Sequence, residues 1–219
     1  AHVASTRGPE IVGRPFADAE AAGMVERYDS YPGYKKFVER NLDLKAIAAQ
    51  KMRILVDPVY GAGAGWIGRL LAGGNIVVDE MRSERNPWFG GVNPEPIRPH
   101  IDPVLARMAG GGYDMGMLLD GDADRVIFTD ETGASVSGDR ILTLCALALM
   151  EEGKLRGATM ACTVMSNLGL HEALRTAGIA VLTTAVGDRH VIEALRAGGY
   201  SFGGENSGHL IFADHATTG

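Results

Sequence analysis

The sequence predicts an α/β fold built from two consecutive α/β/α three-layer units with mixed sheets, the second of them incomplete. Short apolar runs of strand length alternate with helix-length segments through most of the chain. The alternation begins near residue 51 and starts again after Gly153, a typical helix stop. At 219 residues the chain is long enough to bury a core in each unit.

The elements follow in order. Residues 1–50 are expected to form an N-terminal tail and a connecting helix over 34–50, the end of a preceding domain. Residues 51–152 form the first predicted domain, with strands at 52–57, 75–80, 113–120 and 125–130 and helices at 64–72, 102–111 and 139–153. Residues 82–100 hold four prolines and are expected to be a loop. Residues 153–219 form the second, truncated domain, with strands at 158–164, 180–185, 200–204 and 210–214 and helices at 167–177 and 188–197.

Composition narrows the classes of partner. With 21 basic and 27 acidic residues the net charge is −6, which disfavours nucleic acid and anionic membrane as partners. We find no apolar run of about 18 residues and no signal-like N-terminus, so no membrane span is expected. Cys145 and Cys162 lie in apolar segments, which is typical of buried free thiols. These features predict a cytoplasmic protein.

The stretch DGDADR, residues 120–125, is the most informative one. Asp120, Asp122 and Asp124 alternate with small residues between two predicted strands, so that their oxygens can converge on one hard cation such as Mg²⁺. Arg125 follows them directly. A guanidinium beside a metal suits the binding of a phosphoryl group that both contact.

Three other interpretations of this stretch remain open. An EF-hand calcium loop also has aspartates at alternate positions, and Glu131 falls at its twelfth position, but the sixth, which requires glycine, is Arg125. A phosphatase using Asp120 as nucleophile is another interpretation. The third is an acidic, solvated turn without a ligand. The first of these leads to an alternative function, a non-catalytic divalent-metal-binding α/β module.

A second unusual stretch is GGENSGH, residues 203–209. Glu205, Ser207 and His209 alternate with other residues after a predicted strand, and can project together toward a polyhydroxyl ligand. A hydrolase nucleophile elbow is excluded because its first glycine would fall at Glu205. A polar turn is the plainer alternative.

Together these stretches resemble the α-D-phosphohexomutase family, which includes phosphoglucomutases, phosphomannomutases and phosphoglucosamine mutases. DGDADR is similar to the family's magnesium loop, and GGENSGH is similar to its sugar-recognition loop. Further similar segments occur in the family's order, namely VDPVYGAGAG (56–65), NPEPI (93–97), VMSNLGL (164–170) and VGDRHV (186–191).

The resemblance implies an intramolecular phosphotransferase. Such an enzyme interconverts hexose 1-phosphate and hexose 6-phosphate through an enzyme phosphoserine and a bisphosphate intermediate. It further implies that Asp120, Asp122 and Asp124 hold Mg²⁺, and that Arg125 contacts the serine phosphate. Glu205 and Ser207 are then the sugar ligands, His209 a sugar contact or proton-transfer group, and Arg189 a cationic substrate contact.

The sequence departs from the family pattern in two places. The Ser-His-Asn-Pro type of serine loop is absent, and so is the phosphate-binding loop of the fourth domain. The resemblance therefore implies a chain that spans the end of domain 1, domain 2 and most of domain 3, inactive without the missing domains 1 and 4. Ala123 and NPEPI favour glucose or mannose phosphate as substrate, whereas Asn206 favours the alternative, phosphoglucosamine mutase.

Overall fold

The computed structural model describes residues 13–216, which fall into two compact units. The first ends at Leu42 and contains helices α1 (Phe16–Ala21) and α2 (Tyr31–Asn41). The second begins at Asp43 and contains every strand found among residues 13–216. None of the helices in that range has the length and apolar character needed to span a membrane.

The prediction of one connecting helix over residues 34–50 is wrong. Helix α2 ends at Asn41, and α3 (Leu44–Ala48) starts separately. Leu42 between them is extended, with φ −129° and ψ 140°. The Asp43 carboxylate accepts a 2.9 Å hydrogen bond from the Ala46 N–H and so caps α3. Of the predicted N-terminal tail, residues 1–12 lie outside the described residues.

The first sheet is mixed, as predicted. Its strands lie in the order β2-β1-β3-β4-β5. Strand β1 is parallel to β2 and β3, whereas β3, β4 and β5 are antiparallel neighbours. The bounds are β1 Arg53–Asp57, β2 Val77–Glu80, β3 Met115–Leu119, β4 Val126–Thr129 and β5 Ser135–Val136. The proline-rich segment before β3 contains no strand and one short 3₁₀ turn, Phe89–Gly91.

Helices cover both faces of this sheet because side chains of β1 alternate between them. Ile54 is buried with Leu71, which follows α4 (Trp66–Leu70). Leu55 points the other way and is buried with Val104 and Met108 of α5 (Asp102–Ala109). The first layered unit is thus helix, sheet and helix.

The second sheet repeats this plan. Its order is β7-β6-β8-β9, with only the last pair antiparallel. The bounds are β6 Thr159–Thr163, β7 Ala180–Thr184, β8 Phe202–Gly204 and β9 Leu210–Phe212, and the helices are α6 Gly138–Glu151, α7 Leu168–Thr176 and α8 Asp188–Gly198. Leu142 of α6 and Leu174 of α7 are buried with Met160 on one face. Val191 of α8 is buried with Ala161 on the other.

The two predicted functional loops occupy equivalent places in the two sheets. Residues 120–125 connect β3 to its antiparallel neighbour β4, and residues 205–209 connect β8 to its antiparallel neighbour β9. We call residues 120–125 the metal loop and residues 205–209 the sugar loop, after the ligands predicted for them. The repeated plan therefore places each loop at the end of a hairpin.

Candidate functional site

The metal loop is a tight turn closed by its own backbone. The Asp120 N–H donates to the Arg125 carbonyl oxygen at 3.3 Å, and the Ala123 N–H donates to the Asp120 carbonyl oxygen at 3.3 Å. Ala123 adopts a left-handed conformation, with φ 64°. As a result Asp120, Asp122 and Asp124 each offer a carboxylate oxygen, and these three oxygens lie within 4.8 Å of one another.

Arg125 binds the most deeply buried of these aspartates. Its Nε donates to Asp120 Oδ2 at 2.7 Å, and its backbone N–H donates to Oδ1 at 3.2 Å. Asp120 is only 1% exposed, and burial opposes ionisation of its carboxyl; the hydrogen bonds from Arg125 outweigh that effect and hold its pKa below its usual range. A fixed negative charge at Asp120 is what a metal ligand needs.

Asp124 shows the opposite behaviour. Burial raises the pKa of its carboxyl, and a hydrogen bond with Asp120 and the charges of Asp120 and Asp122 raise it further. His209 lowers this pKa but does not cancel the increase. Arg125 Nε lies 3.8 Å from Asp124 Oδ1. Three converging carboxylates with an excess of negative charge fit a divalent cation that prefers oxygen ligands, and Mg²⁺ is such a cation.

Two neighbouring segments support the metal loop through Gly121. The Gly121 N–H donates to the Pro94 carbonyl oxygen at 3.0 Å, and the Gly121 carbonyl oxygen accepts from the Ala62 N–H at 2.9 Å. A Cβ at Gly61 would clash with the Gly121 carbonyl group. The glycine at position 61 therefore permits close backbone approach.

The sugar loop is joined directly to the metal-loop hairpin. The Val126 N–H, at the start of β4, donates to the Gly208 carbonyl oxygen at 3.0 Å. Gly208 has φ +99°, and a Cβ there would clash with the Val126 carbonyl oxygen. Glycine is thus required at position 208 both for its conformation and for this contact.

His209 brings the two loops together at the level of side chains. Its ring is 3% exposed, and Nδ1 lies 3.5 Å from Asp124 Oδ2 of the metal loop. Within the sugar loop, the Glu205 N–H donates to the His209 carbonyl oxygen at 2.8 Å. The predicted metal and sugar residues, more than 80 positions apart in sequence, are therefore neighbours.

Of the other predicted substrate residues, Glu205 and Ser207 lie in the sugar loop, whereas Arg189 lies on the exposed surface of α8. Glu205 Oε1 accepts a 2.9 Å hydrogen bond from the Gly187 N–H, and Ser207 is half-buried in the turn. Arg189 lies in the first turn of α8 with its side chain 82% exposed, and its Nε donates to Glu193 at 2.8 Å. The structure groups Glu205 and Ser207 with His209, whereas Arg189 forms an ion pair along its own helix.

The helix starting at Asp188 was predicted, but the contacts of its first residues with the sugar loop were not. Gly187 contacts Glu205, as described, and Asp188 Oδ2 lies 3.9 Å from His209 Nε2. An aspartate in the first turn of a helix is ordinarily explained by the helix dipole alone. Asp188 belongs to the segment VGDRHV noted in the sequence, but nothing in that pattern indicated a contact with His209.

Both layered units match models of known protein domains. Residues 32–133 match the model described as phosphoglucomutase/phosphomannomutase, alpha/beta/alpha domain II, and residues 137–219 match that of domain III. These matches together take in most of the chain. The chain belongs to the phosphoglucomutase/phosphomannomutase family.

Curated relatives of this family member are named phosphoglucosamine mutases. The protein from Frankia alni is 39% identical over 218 residues, which are 99% of this chain and 46% of that protein. The protein from Sorangium cellulosum is 43% identical over 201 residues, which are 91% of this chain and 41% of that protein. The chain thus spans less than half the length of each.

Solved structures of the family have the same fold. A provisionally named phosphomannomutase from Thermus thermophilus has a TM-score of 0.77 and 30% identity, over 88% of this chain and 44% of that one. A phosphoglucomutase/phosphomannomutase family protein from Burkholderia thailandensis has a TM-score of 0.76 and 23% identity, over 91% of this chain and 44% of that one. At 23% identity, the second likeness concerns the fold alone.

Proposed function

We propose that this chain supplies the metal site and the sugar-recognition loop of a phosphohexomutase that acts on glucosamine phosphate. The observation that carries the proposal is the contact between the two loops. His209 of the sugar loop lies 3.5 Å from Asp124 of the metal loop, and a backbone hydrogen bond joins Gly208 to Val126. A ligand bound by one loop is therefore within reach of the other.

In this proposal the metal loop binds the cation and one phosphoryl group. Asp120, Asp122 and Asp124 would each supply one of their converging oxygens to Mg²⁺. When bound, Mg²⁺ would stabilise the negative charge on the oxygens of a transferring phosphoryl group. Arg125, whose side chain is 31% exposed, would donate hydrogen bonds to the same phosphate while remaining anchored to Asp120.

The sugar loop would orient the hexose. Glu205 and Ser207 offer a carboxylate and a hydroxyl on one turn, suited to hydrogen bonding with sugar hydroxyl groups. His209 can accept a proton from, or return one to, a hydroxyl group that gains or loses a phosphate. Arg189 is exposed enough to turn from Glu193 toward a substrate phosphate.

The choice of glucosamine phosphate rests on the relatives. The proteins from Frankia alni and Sorangium cellulosum, at 39% and 43% identity, are both named phosphoglucosamine mutases. The names of these relatives favour phosphoglucosamine mutase, the alternative suggested by Asn206, over the glucose and mannose interpretation. Asn206 itself donates through Nδ2 to the Met165 carbonyl oxygen at 3.4 Å, so we assign it no contact with the sugar.

Turnover in this proposal needs parts that the sequence lacks. The phosphate donor would be a phosphoserine from a Ser-His-Asn-Pro type of loop, which residues 1–219 do not contain. We propose that the chain by itself binds Mg²⁺ but does not interconvert sugar phosphates. The complete protein, with a phosphoserine domain and a fourth domain, would do so.

The test is a mutase assay of the complete protein with Mg²⁺. Glucosamine 6-phosphate, glucose 6-phosphate and mannose 6-phosphate are compared, and glucosamine phosphate is expected to give the highest kcat/KM. Ser207→Ala should lower kcat/KM, and Ser135→Ala, at an exposed serine of β5, should not. Absence of mutase activity with all three sugars contradicts the proposal. So does phosphate release by the chain alone that Asp120→Asn abolishes, because that result indicates an aspartyl phosphatase.

A further inference from the structure

The start of α8 faces both polar ends of the sugar loop. We infer that Asp188 is a positioning residue that holds the His209 ring in the orientation needed for proton transfer. The inference rests on the function proposed above, because it assumes that His209 exchanges a proton with the substrate. Asp188 itself is not assigned a contact with the substrate.

Neighbouring groups at the start of this helix contact the two ends of the loop. The Gly187 N–H donates to Glu205 Oε1 at 2.9 Å, and Asp188 Oδ2 lies 3.9 Å from His209 Nε2. Glu205 is the first residue of the sugar loop and His209 the last. The start of α8 is therefore placed to fix the separation and direction of both side chains.

The His209 ring lies between two carboxylates. Asp124 Oδ2 is 3.5 Å from Nδ1, and Asp188 Oδ2 is 3.9 Å from Nε2, while the ring is 3% exposed. Asp124 is also a proposed ligand of Mg²⁺, and an oxygen bound to the cation is a weaker acceptor for a ring N–H. Asp188 lies outside the group of converging aspartates, and its carboxylate stays available to the ring.

The distance from Asp188 to the ring is longer than a hydrogen bond, and it can shorten. The Asp188 side chain is 46% exposed, so it has space to move toward Nε2. Hydrogen bonds around catalytic groups are often long in ligand-free structures and tighten when substrate binds. A carboxylate that orients an imidazole in this way acts on the rate through the imidazole.

Helix stabilisation is the competing explanation for Asp188. A negative charge in the first turn interacts favourably with the helix dipole. The chain offers a matched control in Asp102, the first residue of α5, just as Asp188 is the first residue of α8. Their side chains are 47% and 46% exposed. Any effect of the dipole alone should be the same at the two positions.

The kinetic experiment uses the complete protein with Mg²⁺ and glucosamine 6-phosphate. Asp188→Ala should lower kcat by about tenfold to a hundredfold with KM almost unchanged, because a misplaced catalytic group loses rate without losing substrate affinity. Asp188→Asn keeps an acceptor oxygen and should recover part of that loss. Asp102→Ala should leave both constants unchanged. Equal kinetic constants for Asp188→Ala and Asp102→Ala overturn the inference. If Asp188→Ala does not fold, Asp188→Asn is compared with Asp102→Asn, and equal kinetic constants for these two variants likewise overturn it.

A second measurement separates this inference from the proposed function. The ring resonance of His209 is followed by NMR and assigned through its loss in His209→Gln. It should shift or broaden in Asp188→Ala and stay unchanged in Asp102→Ala, whether or not the protein is active. An unmoved resonance overturns the inference alone, as does a moved resonance with unchanged kcat. If the wild-type protein acts on no hexose phosphate, the proposed function fails, and the resonance still decides whether Asp188 positions the ring.

Discussion

The backbone N–H of Val126 donates a 3.0 Å hydrogen bond to the carbonyl oxygen of Gly208, which fastens the sugar loop to the first residue of β4. Val126 follows Arg125 directly, and Gly208 precedes His209. This bond joins the hairpins of two different sheets at the point where each carries its predicted site residues. It makes the two loops one structural element.

The first prediction concerns this contact. Gly208→Ala places a Cβ against the Val126 carbonyl oxygen and forces the sugar loop away from the metal loop. We expect kcat/KM of the complete protein to fall by about tenfold or more, because small displacements of catalytic groups are costly. Mg²⁺ affinity should remain, since the three aspartates are not moved.

The control for that prediction is Gly178→Ala. Gly178 also has a positive φ, +75°, but no atom lies within 4 Å of a Cβ there. Both substitutions carry the conformational cost of about 1 kcal/mol that a left-handed residue imposes. Activity lost equally in both variants would contradict a specific role for the contact at Gly208.

The second prediction concerns the metal. Asp122→Asn removes the charge of one of the three proposed Mg²⁺ ligands, and we expect titration calorimetry of this chain to give Mg²⁺ binding at least about tenfold weaker. Glu131→Gln is the matched control, because Glu131 would be a calcium ligand only in an EF-hand, and it lies outside the group of converging aspartates. Loss of binding in Glu131→Gln, together with a preference for Ca²⁺, would instead favour the metal-binding-module alternative.

The third prediction concerns acid stability at Asp79 of β2. Burial opposes ionisation of the Asp79 carboxyl, but hydrogen bonds from Arg53 and Tyr113 outweigh it and lower the pKa in the folded state. The folded pKa is therefore below the unfolded value of about 3.9. The stabilisation is present above about pH 4 and is lost as pH falls through the folded pKa.

Asp79→Asn should consequently lower the free energy of unfolding by about 0.5 kcal/mol at pH 7, as expected for a partly exposed pair. The difference from wild type should shrink as the pH falls below about 4 in urea denaturation. The partner atom, Arg53 Nη2, lies 2.7 Å from Asp79 Oδ2. Adding Arg53→Gln to the Asp79→Asn variant should change the free energy of unfolding by an amount that does not depend on pH. If the stability difference between wild type and Asp79→Asn instead grows as the pH falls, the lowered pKa of Asp79 is refuted.

The fourth prediction concerns the buried ion pair of Asp57 and Arg82. Asp57 ends β1, its side chain is 2% exposed, and it accepts a 2.9 Å hydrogen bond from Arg82 Nε. Arg82→Met leaves an uncompensated buried carboxylate, and we expect a loss of about 3 kcal/mol or more in urea unfolding. Arg175→Gln, at a pair with side chains 73% and 55% exposed, should cost less than about 0.5 kcal/mol. Comparable losses in the two variants would argue against this account.

Local patterns were sufficient for much of the fold. The strands around the aspartates and the helix starting near Asn167 follow from apolar periodicity and capping, and the Asn167 side chain does accept from the Leu170 N–H at 3.1 Å. The break at Leu42 was missed because the loose helical spacing there outweighed the capping signal of Asp43. A cap depends on one hydrogen bond, which periodicity does not encode.

The site was predictable as two motifs but not as one arrangement. Asp120 and Glu205 stand out in the sequence through their neighbours. The hydrogen bond between Val126 and Gly208 joins a main-chain N–H and a main-chain carbonyl oxygen. Every residue other than proline has both groups, so no side-chain pattern predicts this hydrogen bond. The relation of Asp188 to His209 depends in the same way on how α8 packs on the second sheet.

The backbone character of the Val126–Gly208 bond has a consequence for recombining this chain with its relatives. A chimera joined between residues 133 and 137 would take each half of the contact from a different parent. Side-chain differences at position 126 would leave the hydrogen bond intact, whereas a single-residue insertion in either loop would shift donor and acceptor out of register. Compatibility of two parents would thus be decided by loop length and by glycine at position 208, and hardly by their overall identity.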